Sequence, residues 1–238
     1  MKGFCYAAAL QFRLDIRSKA LLITCYLVPL IFFGLMGGIF TSIDPTAKTT
    51  LLSSMTVMGV SMGALIGLPP TLAEIYGNDV KKSYQAGGVP LCLGAFTTAL
   101  STFCHLLILS VILYGIAPLA FDAALPEHPA QYFPALALLI AVNLSIGCAL
   151  GLAVTNQSKL TMLCQIFFLP SILLSGILVS VDLLPSFLAK LGMLFPAYWG
   201  YRLMQENGFC WENFWPLAVI LLAALTVCGL LLRRIRNR

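Results

Sequence analysis

Apolar residues gather into runs long enough to cross a bilayer, at about 20–41, 51–73, 91–120, 132–155, 160–180 and 214–232, with short polar breaks between them. A hydrocarbon core takes about 20 such residues per helix, so the pattern predicts six transmembrane helices. Barrel strands alternate over about ten residues, which these runs do not, and an open sheet edge has no hydrogen-bond partner in lipid. Composition points the same way: 60% of residues are hydrophobic, 10% are charged, and mean hydropathy is +0.94. The expected fold is an all-α integral membrane domain occupying residues 1–238 as one unit.

Ahead of the first run, Phe4, Ala8, Phe12 and Ile16 recur every four residues, while Lys2, Arg13 and Arg17 fall on another side of the same wheel. Residues 1–19 are therefore predicted to form an interfacial helix, with Asp15 and Lys19 interrupting its apolar face. The first apolar run starts only after Lys19, has full spanning length and lacks a small-residue cleavage site before Thr41, so it is expected to be a span and not a cleaved signal.

Charge placement gives orientation. With six spans both chain ends share a side, and eleven of the fourteen basic residues fall there, against Lys48, Lys190 and Arg202 on the other. Basic residues in short loops stay on the cytoplasmic side, which places both termini and residues 74–90 in the cytoplasm of a multi-pass protein of the cell (inner) membrane. Residues 181–201 are also largely apolar, but a seventh span would put the basic tail outside, and Pro185 and Pro196 cut the stretch into pieces too short to cross. They are expected to form an outer, re-entrant helix-loop-helix before the last span.

The search for chemistry returns little. Gly59-Val60-Ser61-Met62-Gly63 matches GxSxG, yet a nucleophile elbow needs a strand-to-helix turn, and here the flanks are continuous apolar helix. Gly59, Gly63 and Gly67, spaced by four, are better read as a bare stripe that lets helices approach closely; Gly34 with Gly38 and Gly147 with Gly151 repeat the spacing. No phosphate loop of the GxxxxGK[ST] kind is present, so any work this chain performs draws on nucleotide hydrolysed elsewhere. Cys25, Cys92, Cys104, Cys148, Cys164 and Cys228 lie within spans, Cys5 on one side and Cys210 on the other, a pattern that predicts neither a disulfide nor a metal site. Within the spans His105, Asn143 and Gln165 are candidates for a substrate path, and interhelical hydrogen bonds explain them equally well.

Three features together resemble the permease subunits of type-2 ABC transporters. The second span is followed by a polar segment with Glu74, Gly77 and, before the third span, Pro90. The fifth span and its exit carry Pro170, the pair Ser175-Gly176, then Pro185 and Pro196. A basic amphipathic start, six spans and a basic end complete the plan. The chain departs from the family in reading Ala73-Glu74-Ile75-Tyr76-Gly77-Asn78-Asp79 where a denser charged cluster is usual, and Val179-Ser180 where Phe-Pro is usual.

The resemblance implies an exporter of a drug, peptide, lipid or glycan. It implies two permeases, identical or related, and two separate ATPase subunits that bind ATP and Mg, with no cofactor on this chain and no nucleic acid partner. Residues 74–90 would act as the coupling segment, through Glu74, Tyr76, Gly77, Asp79, Lys81 and Lys82. Ser175, Gly176, Pro185, Phe195 and Pro196 would form an outer gate. A non-pumping scaffold or a channel-like subunit of a larger complex is the alternative from another class.

Overall fold

The computed structural model describes residues 2–77, 90–179, 181–205 and 210–236, and these are almost entirely helical. An amphipathic helix, α1 (Lys2–Arg17), leads into α2 (Lys19–Ile43), and α3 (Leu51–Gly77), α4 (Leu91–Phe121) and α5 (Pro129–Ala153) follow. Then come α6 (Gln157–Leu173), two short helices, α7 (Ser186–Gly192) and α8 (Pro196–Gln205), and the long α9 (Trp211–Arg236). Five of these, α2, α3, α4, α5 and α9, are long and apolar enough to cross a membrane.

Local chemistry sets the boundaries. Ser18 leaves the helical region at φ −77°, ψ 106°, and its hydroxyl accepts the Leu21 N–H at 3.4 Å, so α1 ends and α2 begins at one residue. Asn156 caps α6 by accepting the Lys159 N–H at 3.1 Å, which satisfies one of the free donors of a first turn. Toward the other end of α6, the Ser175 hydroxyl donates to the Ile172 carbonyl at 2.8 Å and Gly176 turns the chain at φ +87°, a conformation that favours glycine. The helix therefore stops at Leu173, short of the expected residue 180.

Two helices widen for a turn. α2 is π-helical over Ile23–Leu27 and α3 over Gly63–Gly67, and each widened turn lies just before proline: Pro29 in one case, Pro69 and Pro70 in the other. Proline lacks an N–H and crowds the carbonyl four residues back, and a π-turn accommodates both defects without breaking the helix. The two turns touch, because a Cβ at Gly63 would stand 3.2 Å from Cys25 Sγ, and one at Gly67 would stand 3.0 Å from Thr24 Oγ1.

The core is built around α3. Val57, Val60, Ala64, Leu65, Leu68 and Leu72 are all buried, and every neighbouring helix leans on this one. Gly147 and Gly151 of α5 bring two backbones together: a Cβ on Gly147 would collide with the Ala64 carbonyl, and one on Gly151 would sit 2.7 Å from the Pro69 carbonyl. The stripe Gly59, Gly63, Gly67 receives Leu109 and Leu106 of α4 and Pro29, Cys25 and Thr24 of α2, so its role is packing within the chain. Ser61, the serine of the GxSxG match, is fully buried inside helix α3.

The two faces of the bundle are marked by their contacts. On one, Gly77 lies against Thr155, and Pro90, Ala153 and Arg234 are close by. On the other, Lys48 pairs with Asp122 at 3.5 Å, and the turn after α6 lines one cavity with Asp44 and Thr46. α6 runs from the first face to the second. α7 and α8 stay on the second, with Gly192 packed on the Leu174 carbonyl and Gly200 on the Leu139 side chain.

Candidate functional site at the polar end of the central helix

Residues Leu68–Gly77 continue the most buried helix of the molecule to its polar end, and the side chains there divide by depth. Glu74 is exposed. Tyr76 is buried, and its hydroxyl donates to the Leu91 carbonyl while accepting the Ala95 N–H at 2.9 Å. One phenol thus ties the end of α3 to the first turn of α4, so the segment between them leaves from and returns to a fixed point. The Leu91 carbonyl and the Ala95 N–H are the acceptor and donor of one i, i+4 step of the helix, so the phenol bridges the two ends of a helical turn. A Cβ on Gly77 would stand 3.5 Å from the Thr155 side chain, placing the turn between α5 and α6 beside the same point. Asp79, Lys81 and Lys82 lie outside the described residues.

The sequence marks Tyr76 only as one member of the expected coupling segment. Its double hydrogen bond to α4 is a more specific tie than any spacing in the sequence announces.

A second polar contact joins α1 to α4, ten residues into the latter. Asp15 of α1 is 3% exposed; its carboxylate accepts from the Ser101 hydroxyl of α4 and from Gln11 Nε2 at 2.9 Å. The wheel treats Asp15 as an interruption, but it is the residue that fastens α1 to α4. Burial raises its carboxyl above the usual range, and the two hydrogen bonds and the nearby His105 pull back only in part. Phe12 stacks on the His105 ring at 4.5 Å, and Phe4 meets Phe96 at 5.5 Å, so much of the expected apolar face is used; Ile16 points outward.

The three candidates for a substrate path fall in different surroundings. His105 is buried between α1, α2 and α4, with its Nδ1 2.7 Å from the Tyr26 hydroxyl, which is an interhelical tie. Asn143 is fully buried on α5 and donates to the Leu139 carbonyl at 3.2 Å, leaving Oδ1 without a partner. Gln165 is half-buried on α6.

At the opposite face the expected gate residues split. Ser175 and Gly176 line a cavity of about 630 Å³ together with Asp44, Tyr201 and Arg202. Arg202 also lies over the Tyr198 ring at 5.0 Å, and Trp199 donates to the Met193 carbonyl at 2.7 Å, so α8 is held firmly against its own loop. Pro185 is exposed, Phe195 half-buried and Pro196 buried at the start of α8.

These features define a multi-pass helical membrane protein whose central helix ends in a polar turn pinned to its neighbours. The family model for ABC-2 type transporters matches residues 3–209, and the chain belongs to that family. It is a transmembrane permease subunit of an ABC transporter, a kind of subunit that normally works with ABC ATPase partners in a membrane. No curated protein matches the chain.

Proposed function

We propose that this permease couples a separate ATPase to export through the segment 74–90. The observation that carries the reading is the Tyr76 tie: it makes the end of the buried central helix and the start of α4 one mechanical unit, so a push on the exposed Glu74 side reaches the core. The basic residues gathered at this face support a cytoplasmic orientation for it and for both chain ends, in the cell membrane. α6 serves as the sixth span, with Ser175-Gly176 turning the chain into the re-entrant pair α7 and α8.

Two copies of this chain, or this chain and a relative, enclose the path together with two ATP- and Mg-binding subunits. Gly34 and Gly38 support that assembly, since no atom lies within 4 Å of a Cβ at either and the smooth strip suits another helix. The transporter alternates between openings toward the two faces, and the cavity beside Ser175 and Arg202 is its outward vestibule. Drugs, peptides, lipids and glycan precursors are the cargo classes suited to this family plan.

The test is co-purification and transport with Gly77→Trp and with the double change Glu74→Lys, Asp79→Lys. Either should abolish ATPase retention or export while the permease still elutes as a folded particle. Unchanged transport by both would overturn the coupling role, and a stable complex containing no ATPase would favour the scaffold or channel alternative.

A further inference from the structure

We propose that the seam between α4, α5 and α9 is a binding site for one anionic phospholipid, its acyl chain in an apolar groove and its phosphate at Arg234. The groove encloses about 740 Å³ and is walled by Phe96, Phe103, Leu144, Leu225 and Leu232, with Phe4 of α1 at its rim. Small residues create the depression: Ala95 and Ala99 on α4, Ala141 on α5 and Gly229 on α9. Its floor is fixed, because Cys228 Sγ donates to the Ser145 carbonyl at 3.3 Å and holds α9 against α5.

Depth and charge select the occupant. On α9 the lining runs from Leu221 to Leu232, about 16 Å at ~1.5 Å per residue, which is about half of a ~30 Å hydrocarbon core. That is the depth of one leaflet and so the reach of one acyl chain. The groove lies toward the face that carries Pro90 and the arginine-rich end of α9. Beyond their shared wall residue Leu152, a recess of about 250 Å³ continues the same α5–α9 seam. It is lined by Leu152, Ala153, Leu231, Ile235 and the charged Arg234.

A hydrocarbon slot ending at a guanidinium matches an amphiphile with a phosphate head, since arginine binds phosphate through a planar fork. The seam lies apart from the outward cavity at Ser175 and borders the coupling segment at Pro90, one of its lining residues; retained lipid is counted without any transport step, so the proposal stands or falls independently of transport.

The experiment reconstitutes the full chain in bilayers of equal parts phosphatidylglycerol and phosphatidylcholine, re-extracts it in mild detergent and counts retained lipid by native mass spectrometry. The wild type should keep one phosphatidylglycerol per chain. Gly229→Phe should lose it; Gly229 lines the groove and a Cβ there meets nothing within 4 Å, so the added side chain starts in open space and takes up groove volume. Arg234→Gln should keep a lipid but lower the preference for phosphatidylglycerol about fivefold, the effect of one basic residue at an anionic surface.

Gly115→Phe, equally open but at the other end of α4, should retain lipid as the wild type does. Equal retention by the wild type and Gly229→Phe overturns the proposal, as does retained lipid without headgroup preference. A Gly229→Phe chain that loses a protein partner, with no lipid bound in either form, would also overturn it by making the seam a subunit seat.

Discussion

The central helix and the last helix invert a common expectation about hydrophobicity. α3 is buried over 83% of its most apolar window, α9 over only 22%, yet the mean hydropathy of α9 is 2.4 and that of α3 is 1.7. Lipid accepts nothing but apolar surface, so the helix that faces it must be greasy all round. A helix surrounded by protein can carry Ser53, Ser54, Thr56, Ser61 and its glycine stripe, because neighbours supply both close packing and hydrogen-bond partners. The difference is mechanical as well. α9 leans on α5 and α8 and turns the rest of its surface to lipid, whereas a force on the end of α3 meets α4, α5 and α6 at once.

The strongest way to break that contrast is to add the same side chain to both helices' surroundings. Gly147→Leu should prevent α5 from seating on the α3 backbone, an overpacking cost of about 3 kcal/mol. Gly229→Leu on α9 should leave stability near the wild type, since its Cβ projects into open space. Thermal unfolding in detergent measures both, and equal melting temperatures would contradict the central position of α3.

A smaller effect is expected from Tyr132→Phe, which removes the hydroxyl that donates to Thr56 Oγ1 at 3.1 Å between α5 and α3. Interhelical bonds of this kind contribute about 0.6 kcal/mol in membranes. The double change with Thr56→Val should cost no more than the larger single change, and additive losses would show that the two groups act separately.

The smallest effect belongs to the periphery, where α1 leans on α4 through Asp15. Its raised carboxyl means that the docked state holds a proton more tightly than the undocked state. Docking is therefore strongest below the ordinary carboxylate range and weakens as pH rises through the shifted value. Asp15→Asn should remove this slope. Hydrogen exchange across Gln11–Arg17 at acidic and neutral pH reads it, and a slope that persists in the variant assigns the titration to another group.

The helical plan was legible because lipid imposes it: runs of apolar residues placed α2 to α5 and α9 to within a few residues of their observed ends. The family plan was legible in Glu74, Gly77, Pro90 and the Ser175-Gly176 pair. What a single sequence could not show was partnership across helices. Asp15 looks like a flaw in an amphipathic face until Ser101 is seen opposite it. Tyr76 is one polar-segment residue among several until its hydroxyl meets Leu91 and Ala95. The burial of α3 was also hidden, because hydropathy records affinity for lipid and says nothing of whether lipid is actually there.

The π-turn at Gly63–Gly67 has an angular consequence. A widened turn absorbs one extra residue into a helix, and one residue in an α-helix is about 100° of rotation. The azimuth at which Glu74 and Gly77 leave the bundle is thus set by Gly63–Gly67, some ten residues earlier in the chain, and by the prolines that keep that turn wide. Deleting one residue there would leave the first half of α3 seated as before while turning its polar end away from Leu91 and Thr155. The helix is in effect two segments with a fixed phase offset, and the direction in which it presents its last residues is stored at mid-membrane.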